Sequence, residues 1–222
     1  MTSYRHTIGQ HNYIFKDLKD LMAKASPTRS GDYLAGIGAL NAKERVAAQM
    51  ALATVPLKLF LNDLVIPYES DEITRLIIDS HDAYAFETVS HLTVGDFRNW
   101  LLSDEADAAA LYALSKGLTP EMVAAVSKIM RIQDLVIASK KCEVISKFRS
   151  TIGLRGRLAT RLQPNHPTDD AIGIAASIVD GLLNGAGDAV IGINPASDNV
   201  AQVTLLIRIL DCLLYTSPSP RD

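Results

Sequence analysis

Arg161, Gln163 and Asn194 are the side chains best suited by type and spacing to act on a small polar molecule. A guanidinium presents five fixed N–H donors, and a carboxamide presents two donors and one acceptor oxygen. Arg161 and Gln163 lie two apart in Arg161-Leu-Gln-Pro-Asn165, so on an extended segment they share a face and Leu162 takes the other. Asn194 closes the stretch Gly187-Asp-Ala-Val-Ile-Gly-Ile-Asn-Pro195. There Ala189, Val190, Ile191 and Ile193 form the near-continuous apolar run of a parallel strand covered on both faces. Pro164 and Pro195 follow these stretches and can donate to no ladder. Each stretch therefore reads as a strand stopping at polar groups, which in α/β architectures is the functional edge. A solvated strand edge would also account for Arg161 and Gln163, and an Asn-Pro turn for Asn194. The ligand reading rests on both strands delivering hydrogen-bonding groups at the same relative place.

The elements that position these groups follow from the pattern after residue 150. Thr151-Ile152-Gly153 and residues 158–162 read as extended, 169–184 as helical, and 187–193 as extended. Residues 198–211 are helical in pattern, with Val200, Val203, Leu206, Ile207 and Leu210 on one stripe. Strand, helix, strand, helix opens a parallel α/β unit. Two such units close neither a barrel nor a sheet.

Upstream, the chain reads as helical. Ile14, Leu18, Leu21 and Met22 have helical spacing up to Ser26-Pro27. Asn41 with Glu44 predicts a capped helix start, continued by Val46, Met50 and Ala53. Ser70-Asp71-Glu72 predicts another, with Ile73, Leu76 and Ile77 on its buried stripe. Thr119-Pro120-Glu121 supplies a cap, a proline at the first helical position and an acid at the positive end of the dipole. Arg29-Ser30-Gly31-Asp32 reads as a connecting loop, and Ser103-Asp104-Glu105 as a helix start.

Bulk properties narrow the classes. The 222 residues are 48% hydrophobic with a net charge of −3 and a pI near 5.9, which argues against a broad nucleic-acid-binding face. No apolar run reaches the roughly 18–20 residues of a membrane span, and the polar Met-Thr-Ser-Tyr-Arg-His start lacks a signal core. Two cysteines, Cys142 and Cys212, build no disulfide framework. The five histidines form no ligand spacing, so no metal site is expected. Gly181, Gly185 and Gly187 precede a strand, whereas a dinucleotide fingerprint follows one. A cytoplasmic protein is the expectation. Residues 212–222, ending Tyr-Thr-Ser-Pro-Ser-Pro-Arg-Asp, resemble a translated sequencing adapter. They are set aside as a non-native tail, with the amphipathic helix breaking at Cys212.

Several motifs occur together and in order: Arg29-Ser-Gly-Asp32, Glu44-Arg-Val-Ala-Ala48, Thr74-Arg-Leu-Ile77, Lys116-Gly-Leu-Thr119 with Val123-Ala-Ala-Val126, and the two strand-end stretches. Over nearly all of residues 10–211 the chain resembles the N-terminal part of the ethanolamine ammonia-lyase heavy chain. That resemblance implies a helical N-terminal region (1–149) followed by the first strands and helices of an incomplete (β/α)8 TIM barrel (150–211). It implies a carbon–nitrogen lyase using adenosylcobalamin, a light-chain partner and a homo-oligomer of heavy chains, often housed in a bacterial microcompartment. In that family, homolysis of the cobalt–carbon bond yields a radical that abstracts a substrate hydrogen, and ethanolamine becomes acetaldehyde and ammonia.

By position, Arg161, Gln163 and Asn194 match the family's substrate contacts and Pro195 a contact to the corrin cofactor. Gln163 and Asn194 are expected to hydrogen-bond the substrate hydroxyl and amine, and Arg161 to polarise the oxygen. Ethanolamine binds as an ammonium, and a guanidinium alone repels it. At about 5 Å and an effective dielectric near 20, one like-charge pair costs on the order of 3 kcal/mol. The family supplies carboxylates from later strands, so this chain is expected to be inactive by itself and partly molten over 150–211. The alternative is a stand-alone helical interaction module with a short α/β appendage. A different barrel enzyme acting on a small polar substrate fits the strand-end pattern less well.

Overall fold

The computed structural model of the chain describes residues 3–147, 151–187 and 190–216. It is a mixed α/β structure, mostly helical with small sheets, in two compact units, Met1–Glu143 and Val144–Asp222.

The first unit opens on an antiparallel hairpin, β1 (Tyr4–Ile8) and β2 (His11–Phe15), in register from Tyr4↔Phe15 to Ile8↔His11. This corrects the helical reading of Ile14. Aromatic and β-branched residues on either side of a turn at Gly9, whose φ is 61°, favour strands. Ile14 is 64% exposed, while Phe15 on the opposite face is fully buried. The helical period begins only at α1 (Leu18–Ala25), where the Asp17 side chain accepts the Asp20 N–H at 2.7 Å. A short helix, α2 (Ser30–Leu34), replaces the loop expected at Arg29–Asp32.

The central helix, α3 (Ala42–Ala53), starts as predicted, with Asn41 Oδ1 accepting the Glu44 N–H at 3.0 Å. Its buried face is Ala47, Ala48, Ala51 and Leu52, whereas Val46 and Met50 are about half exposed. The small alanines let α1 and the hairpin approach closely, so the larger side chains turn outward. After a 3-10 turn at Leu57–Leu61 comes α4 (Glu72–Asp79). The expected buried stripe fails there: Ile73 and Leu76 are more than 60% exposed. Thr74 is the buried residue, donating its hydroxyl to the Asp71 carboxylate at 2.8 Å.

Helices α5 (Ala83–Glu87) and α6 (Val94–Leu102) follow. Ser103 ends α6, donating its N–H to the Asn99 and Trp100 carbonyls, and does not begin a helix. The next helix, α7 (Ala108–Leu114), is capped by Asp107 instead. The Thr119-Pro120 signal does open α8 (Pro120–Ile129), and α9 (Ile132–Lys141) closes the unit. One core, built on Phe15, Leu18, Leu21, Leu52, Phe97 and Met122, joins the hairpin to these helices.

In the second unit, β3 (Ser146–Lys147) pairs antiparallel with β4 (Thr151–Ile152). Then come β5 (Arg161–Leu162), α10 (Ala171–Leu183), β6 (Val190–Ile191) and α11 (Val200–Thr216). Strands β5 and β6 run parallel in the register Arg161↔Val190 and Leu162↔Ile191. The strand–helix order matches the sequence pattern, but the ladders are two residues long, and a two-stranded pair is not a barrel. Among the described residues each strand pairs on one side only, and Val190, expected to be covered on both faces, is 48% exposed. Asp188 and Ala189 lie outside the described residues. Helix α11 does not break at Cys212 but runs to Thr216, since Leu213 extends the apolar stripe of Leu206 and Leu210. The remainder of the expected tail, 217–222, lies outside the described residues.

Candidate functional site at the ends of two parallel strands

Strand alternation sorts the residues of β5 and β6 into two faces. Leu162, Ile191 and Ile193 pack against Ile174 and Ile178 of α10 and Leu206 of α11. Arg161 and Gln163 from one strand, and Val190, Gly192 and Asn194 from the other, therefore take the opposite face. The ladder continues one step past β5, because the Gly192 N–H donates to the Leu162 carbonyl at 2.9 Å. This sets Gln163 beside Gly192. The Arg161 guanidinium leans along the strand onto the same glycine: a Cβ at position 192 would sit 2.9 Å from Nη2 and 3.4 Å from Nε.

Arg161, Gln163, Asn194 and Pro195 are all exposed. Among the described residues, no hydrogen bond or ion pair links the side chains of Arg161, Gln163 and Asn194. The structure brings Arg161, Gln163 and the Gly192–Asn194 segment to one sheet face, with the three polar groups open to a ligand rather than joined to one another.

Two turns carry these residues, and they are tied together. After β5, Pro164 is buried, and His166 Nδ1 accepts the N–H groups of Thr168 and Asp170, each at 3.3 Å. Asp170 caps α10 by accepting the Gly173 N–H at 2.7 Å. Asn165 Oδ1 accepts the backbone N–H of Asn194 at 3.3 Å. Asp169, only 3% exposed and left-handed at φ 54°, turns its carboxylate to the second loop. It accepts the Ala196 N–H at 2.7 Å, the Ser197 N–H at 3.2 Å and the Ser197 hydroxyl at 3.3 Å. Its own carbonyl accepts from Gln202 Nε2 at 2.7 Å.

Sequence reasoning placed Asp169 inside the following helix and missed this role. The available signal was the doubled Asp169-Asp170: one carboxylate suffices to cap a helix, which leaves the other for a different partner.

The first unit offers a cleft of about 420 Å³ between α3 and α6, lined by Val46, Met50, Ala53, Gly95 and Arg98 among others. Its cation is already committed, since Arg98 donates to Asp134 Oδ2 through Nη2 at 2.5 Å and Nε at 3.2 Å. Among the described residues no cluster of three or more His, Cys, Asp or Glu could hold a metal ion. No described helix is long and apolar enough to cross a membrane.

Comparison with known proteins places this chain in a family. The ethanolamine ammonia lyase large subunit (EutB) family matches residues 13–217. The chain is 45% identical over 199 residues to the ethanolamine ammonia-lyase large subunit of Salmonella typhimurium, covering 90% of this chain and 43% of that protein. It is 44% identical over 201 residues to the Escherichia coli large subunit, covering 90% of this chain and 44% of that one. The chain thus spans less than half the length of the curated relatives it matches. On the family match and these identities, the chain belongs to the ethanolamine ammonia-lyase large subunit family.

Proposed function

We propose that this chain supplies part of the substrate site of an ethanolamine ammonia-lyase, which converts ethanolamine to acetaldehyde and ammonia. The observation that carries this reading is the shared strand-end face of Arg161, Gln163 and Asn194, opposite the Leu162, Ile191 and Ile193 face that packs on helices.

Arg161 has donors only, so its productive partner is the substrate oxygen, and it stabilises negative charge developing there. The carboxamide oxygens of Gln163 and Asn194 accept from the ammonium, and their N–H groups reach the hydroxyl. The guanidinium repels the ammonium, and two carboxylates of the intervening turn are engaged elsewhere, Asp169 with the second turn and Asp170 with the helix cap. In this reading the carboxylates that balance the ammonium come from later strands of the full-length protein. The 222-residue chain alone is expected to release no ammonia, even with the light chain and cofactor present.

Exposed Pro195 and Ala196 fit the uncharged edge of a corrin, since they give a short charge-free apolar surface directly after the strand end. Pro195 would hold adenosylcobalamin there, and the cofactor when bound supplies the radical that removes a substrate hydrogen. This chain's residues fix the substrate's orientation. The reading also includes assembly with light chains and further heavy chains, in the cytoplasm or within a microcompartment.

The test uses the full-length heavy chain carrying this segment, assembled with light chain and adenosylcobalamin. Arg161→Ala and Asn194→Ala should each lower kcat/KM for ethanolamine by about 10²–10³-fold. Unchanged kcat/KM in both variants defeats the reading.

A further inference from the structure

We infer that Asp169 is a positioning residue for this reaction: its buried carboxylate fixes the Asn194–Ser197 turn against the turn that follows Gln163, and so sets where the Asn194 carboxamide stands. The inference rests on the functional reading above and deepens it.

Three features support the role. Asp169 is 3% exposed, and its two oxygens are shared among two backbone N–H groups and one hydroxyl, all from Ala196 and Ser197. A carboxylate is acceptor-only, so it satisfies every one of these donors, which an amide cannot. Its backbone at φ 54° is left-handed, a conformation that aspartate adopts more readily than most residues but at a cost. The fold sustains that conformation where it aims the carboxylate across to the next turn, and Gln202 of α11 pins the peptide from behind. Asn165 adds a second tie, to the Asn194 N–H itself. Asn194 is therefore braced on both sides by groups from the loop that carries Gln163.

The Asp169 carboxylate bonds to Ala196 and Ser197 and to none of the three side chains assigned to substrate, so its effect runs through the turn. Asp169→Gly keeps the left-handed backbone accessible and removes only the carboxylate. Asp169→Asn keeps one acceptor oxygen and sets an NH2 group against an N–H donor.

Two measurements test the inference. In the assembled full-length enzyme, amide exchange at Ala196 and Ser197 should quicken at least tenfold in Asp169→Gly, while exchange in the α10 interior stays unchanged. In the assembled full-length enzyme, Asp169→Asn should lower kcat/KM for ethanolamine at least tenfold, and by less than twofold when Asn194 is already Ala. Equal losses in both backgrounds, or unaltered exchange at residues 196 and 197, overturn the inference. Failure of the unsubstituted assembly to release ammonia defeats instead the functional reading beneath it.

Discussion

The Arg161 guanidinium lies against the Cα of Gly192 on the neighbouring parallel strand, so near that a Cβ there would be 2.9 Å from Nη2. The absent side chain at position 192 thus decides where the cation rests. Gly192→Ala would displace only the far end of a flexible side chain. The expected stability change is within about 0.5 kcal/mol. A guanidinium shifted by even 1 Å loses its alignment, so kcat/KM in the assembled enzyme should fall by about 10- to 100-fold. Thermal melting and ethanolamine kinetics on the same preparation separate these effects, and intact kinetics would show that the contact is incidental.

Acid sensitivity of the helical unit should centre on Asp134. Arg98 first, then the Arg131 backbone and side chain, hold its carboxyl far below the ordinary 3.8. A carboxyl depressed in the fold binds fewer protons there than in the unfolded chain. Its contribution is therefore complete above about pH 4 and is lost progressively as pH falls further. Asp134→Asn should lower Tm at neutral pH, and the gap to the unsubstituted chain should narrow below pH 4. A constant gap across that range would show that the carboxylate's charge is not what stabilises the junction of α6 and α9.

Sequence legibility followed how local the cause of each element was. Caps were readable because they are contained within four residues: Asn41 before Glu44, and Thr119 before Pro120. The parallel pairing of the Arg161 and Val190 segments was visible as strand–helix–strand order. Burial was harder. The alternation of α4 promised a covered Ile73 and Leu76, but a stripe is buried only where another element lies over it, and both are exposed. The hairpin was missed because Ile14 happens to fall in step with Leu18 and Leu21. At the site, residue types marked Arg161, Gln163 and Asn194, while Asp169 was hidden because its partners lie about thirty residues away, beyond the reach of any local pattern.

At the alkaline end, Tyr4 should dominate. Its hydroxyl donates to Asp63 at 3.4 Å, and burial together with that carboxylate pushes its pKa up to about 12. The folded chain then keeps a proton that the unfolded chain releases from pH 10 upward. Stability from this group is complete below pH 10 and declines as pH rises towards 12. Tyr4→Phe removes the titration, so its Tm should fall less steeply over that interval. Parallel alkaline limbs for the two proteins would exclude Tyr4 as the cause.

Gln49 gives the sharpest test of how the helical unit is held. Its single NH2 group donates to the Lys128 carbonyl at 2.9 Å and to the Ala25 carbonyl at 3.3 Å. These lie in the last turns of α8 and α1, where carbonyls have no partner within the helix. One carboxamide on α3 thus closes two helix ends that carry the negative pole of the dipole. Gln49→Ala leaves both carbonyls without this donor and should cost about 1–2 kcal/mol. Gln49→Glu has nearly the same shape but sets a carboxylate against two carbonyl oxygens, so it should be the more destabilising of the two at pH 7. Protonation restores an O–H donor, and the excess cost should vanish below about pH 4. Urea unfolding followed by helix signal, at pH 7 and again at pH 4, decides the matter. A Gln49→Glu protein as stable as Gln49→Ala at both values would mean that the amide packs at this junction without bonding it.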